Sequence, residues 1–155
     1  MKKCFLTFLI IFFLGLLYSW GQTNNNYSKS LKSSVDMLIA NKKLTDEKIL
    51  SLIPTTEDNF IEYYSYTNPD KGKEINKVFY QIDNLIRDRA AENKTGFLKR
   101  YLELAVFADG EYAESYVDDS DFVIGKNITE FCRLYPSLSN RAKELFKDQK
   151  NKYCK

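Results

Sequence analysis

Apolar side chains recur every three or four residues along most of the chain, which is the spacing that lines one face of an α-helix. Tyr27, Leu31, Val35 and Leu38 follow this spacing and predict a helix over residues 27–41. The strongest pattern lies between Ile75 and Ile86 and predicts a helix over 73–92. No segment after the first 21 residues alternates convincingly with the period of two expected of a strand, so the pattern predicts an all-α protein.

Start and stop signals divide the first half of the chain into short helices. Thr45 precedes two acidic residues and Pro54 ends the following segment, which predicts a helix over 46–52 with Thr45 as its cap. Thr55-Thr56-Glu57-Asp58 repeats this start signal. The aromatic segment 60–66 also suits a strand, but we favour a helix because a lone strand leaves its backbone groups unpaired.

The second half begins with residues 96–108, which are apolar around most of a helix and predict a central element packed on both sides, capped by Thr95. Asp109-Gly110 predicts a turn. We then expect two short helices, one around Tyr112 to Val117 and one over 121–126. A further helix closes at Pro136, and a last one is capped by Ser137 or Ser139. We expect about seven helices in antiparallel hairpins, packed as a small α-solenoid-like or irregular helical bundle.

The run from Leu104 to Leu134 contains Phe-Ala-Asp-Gly-Glu-Tyr-Ala-Glu between two predicted helices and Asn-Ile-Thr-Glu-Phe-Cys-Arg-Leu at the start of the next. This run resembles the helical hairpins of HEAT type found in small uncharacterised secreted bacterial proteins. The resemblance covers about a fifth of the chain, and no clean repeat of fixed period accompanies it. It implies an architecture and no activity.

The N-terminus has the features of an export signal. Lys2 and Lys3 precede an apolar run from Phe5 to Leu17, and the small residues Ser19 and Gly21 stand at the −3 and −1 positions of a cleavage site. We predict a signal peptide over 1–21, a disordered lead-in over 22–26 and a single helical domain over 27–155. The apolar run is shorter than the roughly 20 residues that span a bilayer, which disfavours the alternative of a retained signal anchor. The expected location is therefore periplasmic or extracellular, without a stable membrane anchor after cleavage.

Cysteine and histidine usage restricts the possible chemistry. Cys132 and Cys154 form an even pair in a chain expected to be exported, so we predict a disulfide between them. The sequence contains no histidine, which removes the usual catalytic triads and the commonest ligand of zinc and copper. A calcium loop counted from Asp118 has Val123 and Thr129 where glycine and glutamate are required. We expect no catalytic residue, no metal and no cofactor.

Charge is distributed unevenly. The chain has 23 basic and 21 acidic residues, and removal of Lys2 and Lys3 leaves it neutral, which argues against nucleic-acid binding. Residues 101–125 nevertheless carry no basic and seven acidic side chains, whereas 126–155 carry eight basic and three acidic ones. An ordinary solvated helix face, with Asp109 and Glu111 complementing a helix N-terminus, accounts for such a segment. The best functional interpretation is a binding surface for a basic partner.

The functional hypothesis is an exported, non-catalytic helical protein that binds another protein with a basic surface. Its narrower form is an immunity or inhibitor protein for a secreted hydrolase, and its alternative is a hydrolase of cell-wall or glycan material that uses carboxylates such as Glu111 and Glu114. Tyrosines beside the carboxylates are typical of binding hot spots, although they also commonly line the edge of a core. The predicted partner-binding residues are Asp109, Glu111, Tyr112, Glu114, Tyr116, Asp118, Asp119 and Asp121.

Overall fold

The computed structural model describes residues 26–67, 75–92, 94, 96–108 and 110–155, and within these ranges it contains nine α-helices and no strand. The helices are α1 (26–39), α2 (Asp46–Leu52), α3 (Glu57–Thr67), α4 (Ile75–Ala91), α5 (Phe97–Leu104), α6 (Gly110–Lys126), α7 (Ile128–Leu134), α8 (Asn140–Leu145) and α9 (Lys147–Tyr153). Two short 3-10 turns, Ala105–Phe107 and Tyr135–Ser137, follow α5 and α7. The all-α prediction is confirmed, and the expected number of about seven helices is roughly consistent with the structure.

Three helices begin at hydroxyl-bearing caps. The side chains of Thr45, Thr56 and Ser139 each accept a hydrogen bond from the backbone N–H three residues further on. This satisfies one of the N–H groups that a helix start leaves without a partner, and it settles the choice between Ser137 and Ser139. Helix α5 instead starts after Gly96, whose φ of 83° places it in the left-handed region, whereas the predicted cap Thr95 lies outside the described residues.

Helix α4 lies at the centre of the molecule, in contact with α2, α3, α5 and α6. Its buried residues, spaced mostly four apart, are Val78, Phe79, Ile82, Ile86 and Ala90. Helix α5 packs on α4, and the 3-10 turn that continues it contacts α6 and α8. In a solenoid each unit contacts only its neighbours along the chain. The contacts of α4 with α2 and α6 occur between neighbouring two-helix units of a solenoid as well as in an irregular bundle, so both predicted arrangements stay open.

A buried asparagine joins the end of α4 to α6 and α7. The Asn127 side-chain amide nitrogen lies 3.0 Å from the carbonyl of Ala90, 3.2 Å from that of Ala91 and 3.0 Å from that of Val123. Asn127 is only 7% exposed. It thus supplies donors to carbonyls that the end of α4 leaves without helical partners.

Two predicted boundaries are wrong. Residues 110–126 form one helix of 17 residues rather than two short ones. No glycine or proline interrupts residues 118–120, and the Ser120 hydroxyl donates to the carbonyl of Tyr116 within the helix. Conversely, the predicted last helix is divided into α8 and α9 at Phe146. The backbone of Phe146, with φ of −100° and ψ of 20°, lies outside the helical region, and its ring is buried.

A disulfide joins Cys132 in α7 to Cys154 after α9, which confirms the predicted pair, with Cα atoms 5.5 Å apart. Helix α9 contains no fully buried residue, so this bond is a principal tie between the C-terminus and the bundle. None of the helices in the described part of the chain is long and apolar enough to span a bilayer. The predicted signal peptide, 1–21, lies outside the described residues, and residue 26, predicted as the last of the lead-in, already belongs to α1.

Candidate functional site

Helix α6 carries most of the acidic segment. Its core side is formed by Tyr116, Ser120, Val123 and Ile124, all of them buried. Because successive residues of an α-helix are 100° apart, positions 111, 114, 118 and 122 lie on the opposite side. We call these four positions the outer face of α6. The single continuous helix thus places Glu111, Glu114 and Asp118 in line with Phe122.

Phe122 is the aromatic residue of this outer face, and its side chain is 53% exposed. The Lys126 ammonium lies 5.7 Å from the centre of its ring. Sequence reasoning missed Phe122 because the segment before it was predicted as a break between helices. Its spacing of four from Asp118 is the signal that would have identified it once helix was assumed throughout.

Asp119 lies beside the outer face and pairs with the central helix. The Arg87 Nη1 atom lies 3.2 Å from Asp119 Oδ2, and Arg87 Nη2 lies 3.3 Å from Asp88 Oδ1. Burial works to lower the pKa of Arg87, but hydrogen bonds and charges from Asp119 and Asp88 outweigh it and raise that pKa. Asp119 therefore contributes to the contact between α4 and α6.

Asp121 pairs with the C-terminal helix. Lys152 Nζ lies 3.0 Å from Asp121 Oδ2 and 4.6 Å from the centre of the Tyr153 ring. A hydrogen bond with Tyr153 and, to a smaller extent, one with Asp121 raise the pKa of Lys152. Exposed ion pairs of this kind contribute little to stability, because both charges stay hydrated.

Glu103, which was counted with the acidic segment, is engaged at the start of α8. Its two carboxylate oxygens accept hydrogen bonds from the backbone N–H and the hydroxyl of Ser139, each at 2.7 Å. Three of the seven acidic residues in 101–125 thus have partners within the molecule, and three more occupy positions on the outer face of α6.

Tyr116 is a core residue, which corrects its predicted place on the partner-binding surface. It is 3% exposed, its ring stacks on Tyr101 with centroids 4.6 Å apart, and its hydroxyl donates to the Tyr101 carbonyl. Residue 116 points inward because it shares the side of α6 that carries Ser120 and Ile124. A partner in contact with the surface of the molecule does not reach it.

The remaining predicted residues are only partly described. Asp109 lies outside the described residues, and so do the side chains of Glu111, Tyr112, Glu114 and Asp118, although the backbone of these four belongs to α6. Since α6 begins at Gly110, Glu111 lies in its first turn, where negative charge complements the helix dipole.

No three histidine, cysteine, aspartate or glutamate residues lie together as a candidate metal site in the described ranges. Residues 118–126, which the calcium count requires as a loop, are helical. Comparison of the chain with protein-family models, with curated proteins and with solved structures gives no significant match. The resemblance to HEAT-type hairpins therefore stays a prediction.

Proposed function

We propose that the chain is an exported, non-catalytic protein that binds another protein through the outer face of α6. The observation that carries this proposal is the continuity of α6, which aligns three carboxylate positions with the exposed ring of Phe122. The preferred partner has a basic surface with an apolar pocket. Asp119 and Asp121 flank the outer face and are held in place by Arg87 and Lys152.

The aromatic ring and the carboxylates of the outer face have different roles in the proposed binding. An aromatic side chain that fills a pocket typically provides much of the affinity at an interface. Carboxylates on the same face attract a cationic partner and accelerate the encounter, and they repel a second copy of the same face. The outer face is therefore better suited to a different protein than to self-association.

The narrower proposal is an immunity or inhibitor protein whose partner is a secreted hydrolase with a positively charged cleft of its own. An acidic helix face that includes an exposed aromatic side chain matches such a cleft in charge. This narrower form rests on the analogy with small exported inhibitors as a class. The predicted export over residues 1–21 supports it, because the partner and the inhibitor then share a compartment.

The test is affinity capture from the extracytoplasmic fraction, followed by measurement of the dissociation constant of the captured protein. Charge reversal to lysine at Glu111, Glu114 and Asp118 is expected to weaken binding at least tenfold, and the remaining binding is expected to depend less on salt. The matched control reverses three exposed carboxylates elsewhere, namely Asp36, Glu47 and Glu144. Equal weakening by both triple variants would show that net charge alone matters and would contradict the proposed surface.

The carboxylate-hydrolase alternative is tested on the same purified protein. Peptidoglycan is incubated with the wild-type chain and with the single variants Glu111→Gln and Glu114→Gln. Under the proposal, none of the three releases soluble fragments. If the wild type cleaves peptidoglycan and either substitution abolishes that cleavage, the non-catalytic assignment is overturned.

A further inference from the structure

A cleft of about 620 Å³ opens between the loop that joins α2 to α3, the start of α5 and the 3-10 turn after α5. We call it the cationic cleft. Its lining includes Thr55 from the loop, Lys99, Arg100 and Glu103 from α5, and Val106 and Phe107 from the 3-10 turn. Clefts of this volume fall in the range that holds small organic ligands. None of the described residues that line the cleft belongs to α6, where the proposed partner-binding surface lies.

The charges in the cleft favour an anion. Lys99 and Arg100 are exposed, and no carboxylate among the described residues forms an ion pair with either of them. Glu103 is the one carboxylate among the described lining residues, and its two oxygens accept hydrogen bonds from the N–H and the hydroxyl of Ser139, each at 2.7 Å. Among the described residues, Lys99 and Arg100 therefore have no ion-pair partner, whereas the Glu103 carboxylate is engaged in holding the start of α8.

The cleft also has an apolar wall. Val106 and Phe107 are half-buried there, and the Phe107 ring stacks on Phe60 with centroids 6.0 Å apart. This stacking holds the wall against the core, so that the wall remains in place when the cleft is empty. A ligand in contact with this wall would remove apolar surface from water, which favours binding by about 25 cal/mol for each Å² buried.

We propose that the cationic cleft binds a small organic anion, with a carboxylate or phosphate head held by Lys99 and Arg100 and an apolar body against Val106 and Phe107. The guanidinium of Arg100 presents paired N–H donors that match two oxygens of such a head. The Lys99 ammonium adds a second positive charge beside it.

The test uses anilinonaphthalene sulfonate, a fluorescent amphipathic anion, as the probe for the folded protein. We expect saturable binding that the double variant Lys99→Gln/Arg100→Gln weakens at least tenfold. The matched control is Lys42→Gln/Lys43→Gln, which removes the same charge at two exposed residues outside the cleft. It is expected to bind the probe as the wild type does. Equal affinities of all three proteins would overturn the proposal.

A cleft-filling variant separates this site from general apolar adsorption. Thr55→Trp places an indole in the lining from an exposed position and is expected to exclude both the anionic probe and its neutral analogue phenylnaphthylamine. The Lys99 and Arg100 substitutions are expected to spare the neutral analogue. Retained probe binding by Thr55→Trp, with an unchanged circular dichroism spectrum, would place the probe elsewhere and contradict the proposal.

Competition identifies the head group. Octanoate and octyl phosphate are titrated against the bound probe. Displacement by octanoate alone assigns a carboxylate head, displacement by octyl phosphate alone assigns a phosphate head, and displacement by both shows that the cleft accepts either. Failure of both to displace the probe would overturn the proposal. The same cleft variants are expected to leave capture of the α6 partner unchanged, so failure of one proposal is distinguishable from failure of the other.

Discussion

Removal of the disulfide is expected to lower the free energy of unfolding by an amount that follows from the length of the loop it closes. The residues Cys132 and Cys154 are 22 apart in sequence, and helix α9 between them contributes no fully buried side chain. In the loop-entropy description, a closed loop of this length removes about 11 cal/mol/K from the unfolded chain, or about 3 kcal/mol at 25 °C. Helix α9 also contacts α7 and α8, so we expect it to stay folded against them in a Cys132→Ser/Cys154→Ser variant and the full loop-entropy stabilisation to be lost.

The assay is urea denaturation of the chain from Gln22, followed by far-ultraviolet circular dichroism. With a slope of about 2 kcal/mol per molar urea, a loss of 3 kcal/mol lowers the midpoint by roughly 1.5 M. Mass spectra with and without reductant are expected to differ by two hydrogen atoms for the wild type and to be identical for the variant. A variant whose unfolding free energy lies within about 0.5 kcal/mol of the wild type would refute the loop-entropy reasoning.

Three further predictions concern single side chains. Asn127→Ala is expected to cost about 2 kcal/mol in urea denaturation, because it removes hydrogen bonds to buried carbonyls at the end of α4; a loss below about 0.5 kcal/mol would contradict this role. Tyr116→Phe is expected to lower the free energy of unfolding by about 1 kcal/mol, because it removes the hydrogen bond to Tyr101, and to leave partner affinity unchanged. Reduced partner affinity would contradict the assignment of Tyr116 to the core. Hydrogen bonds from Arg133 lower the pKa of Glu130 below its ordinary 4.5, so the stability from this pair is present above that pH and is lost as the pH falls through the lowered pKa. An NMR titration in which Arg133→Gln leaves the Glu130 pKa unchanged would contradict that cause.

Local signals were enough to predict much of the helical structure. Thr45 and Ser139 act as caps because their hydroxyls reach an N–H of their own first turn, a contact that depends on nearby sequence alone. The division of α6 was mispredicted because residues 118–121 are polar and supply few apolar positions to mark a period. Helix continues through them because Val123 and Ile124 extend the buried side that Tyr116 begins.

The candidate site was harder to predict because its contacts join distant parts of the sequence. Arg87 and Asp119 are 32 residues apart, and Glu103 and Ser139 are 36 apart. Such pairs depend on how the helices pack, which a periodic pattern does not specify. The burial of Tyr116 has the same origin, since it follows from the stacking of its ring on Tyr101 in α5.

The most direct test of the proposed surface compares two exposed aromatic residues. Phe122 on the outer face of α6 is 53% exposed, and Tyr80 on α4 is 64% exposed. If Phe122 fills a pocket of the partner, Phe122→Ala costs about 2 kcal/mol of binding, or roughly thirtyfold in dissociation constant, whereas Tyr80→Ala leaves it unchanged. Both constants are measured by calorimetry with the captured partner. Equal affinities of the two variants, or a larger loss with Tyr80→Ala, would contradict the assignment of the binding surface to α6.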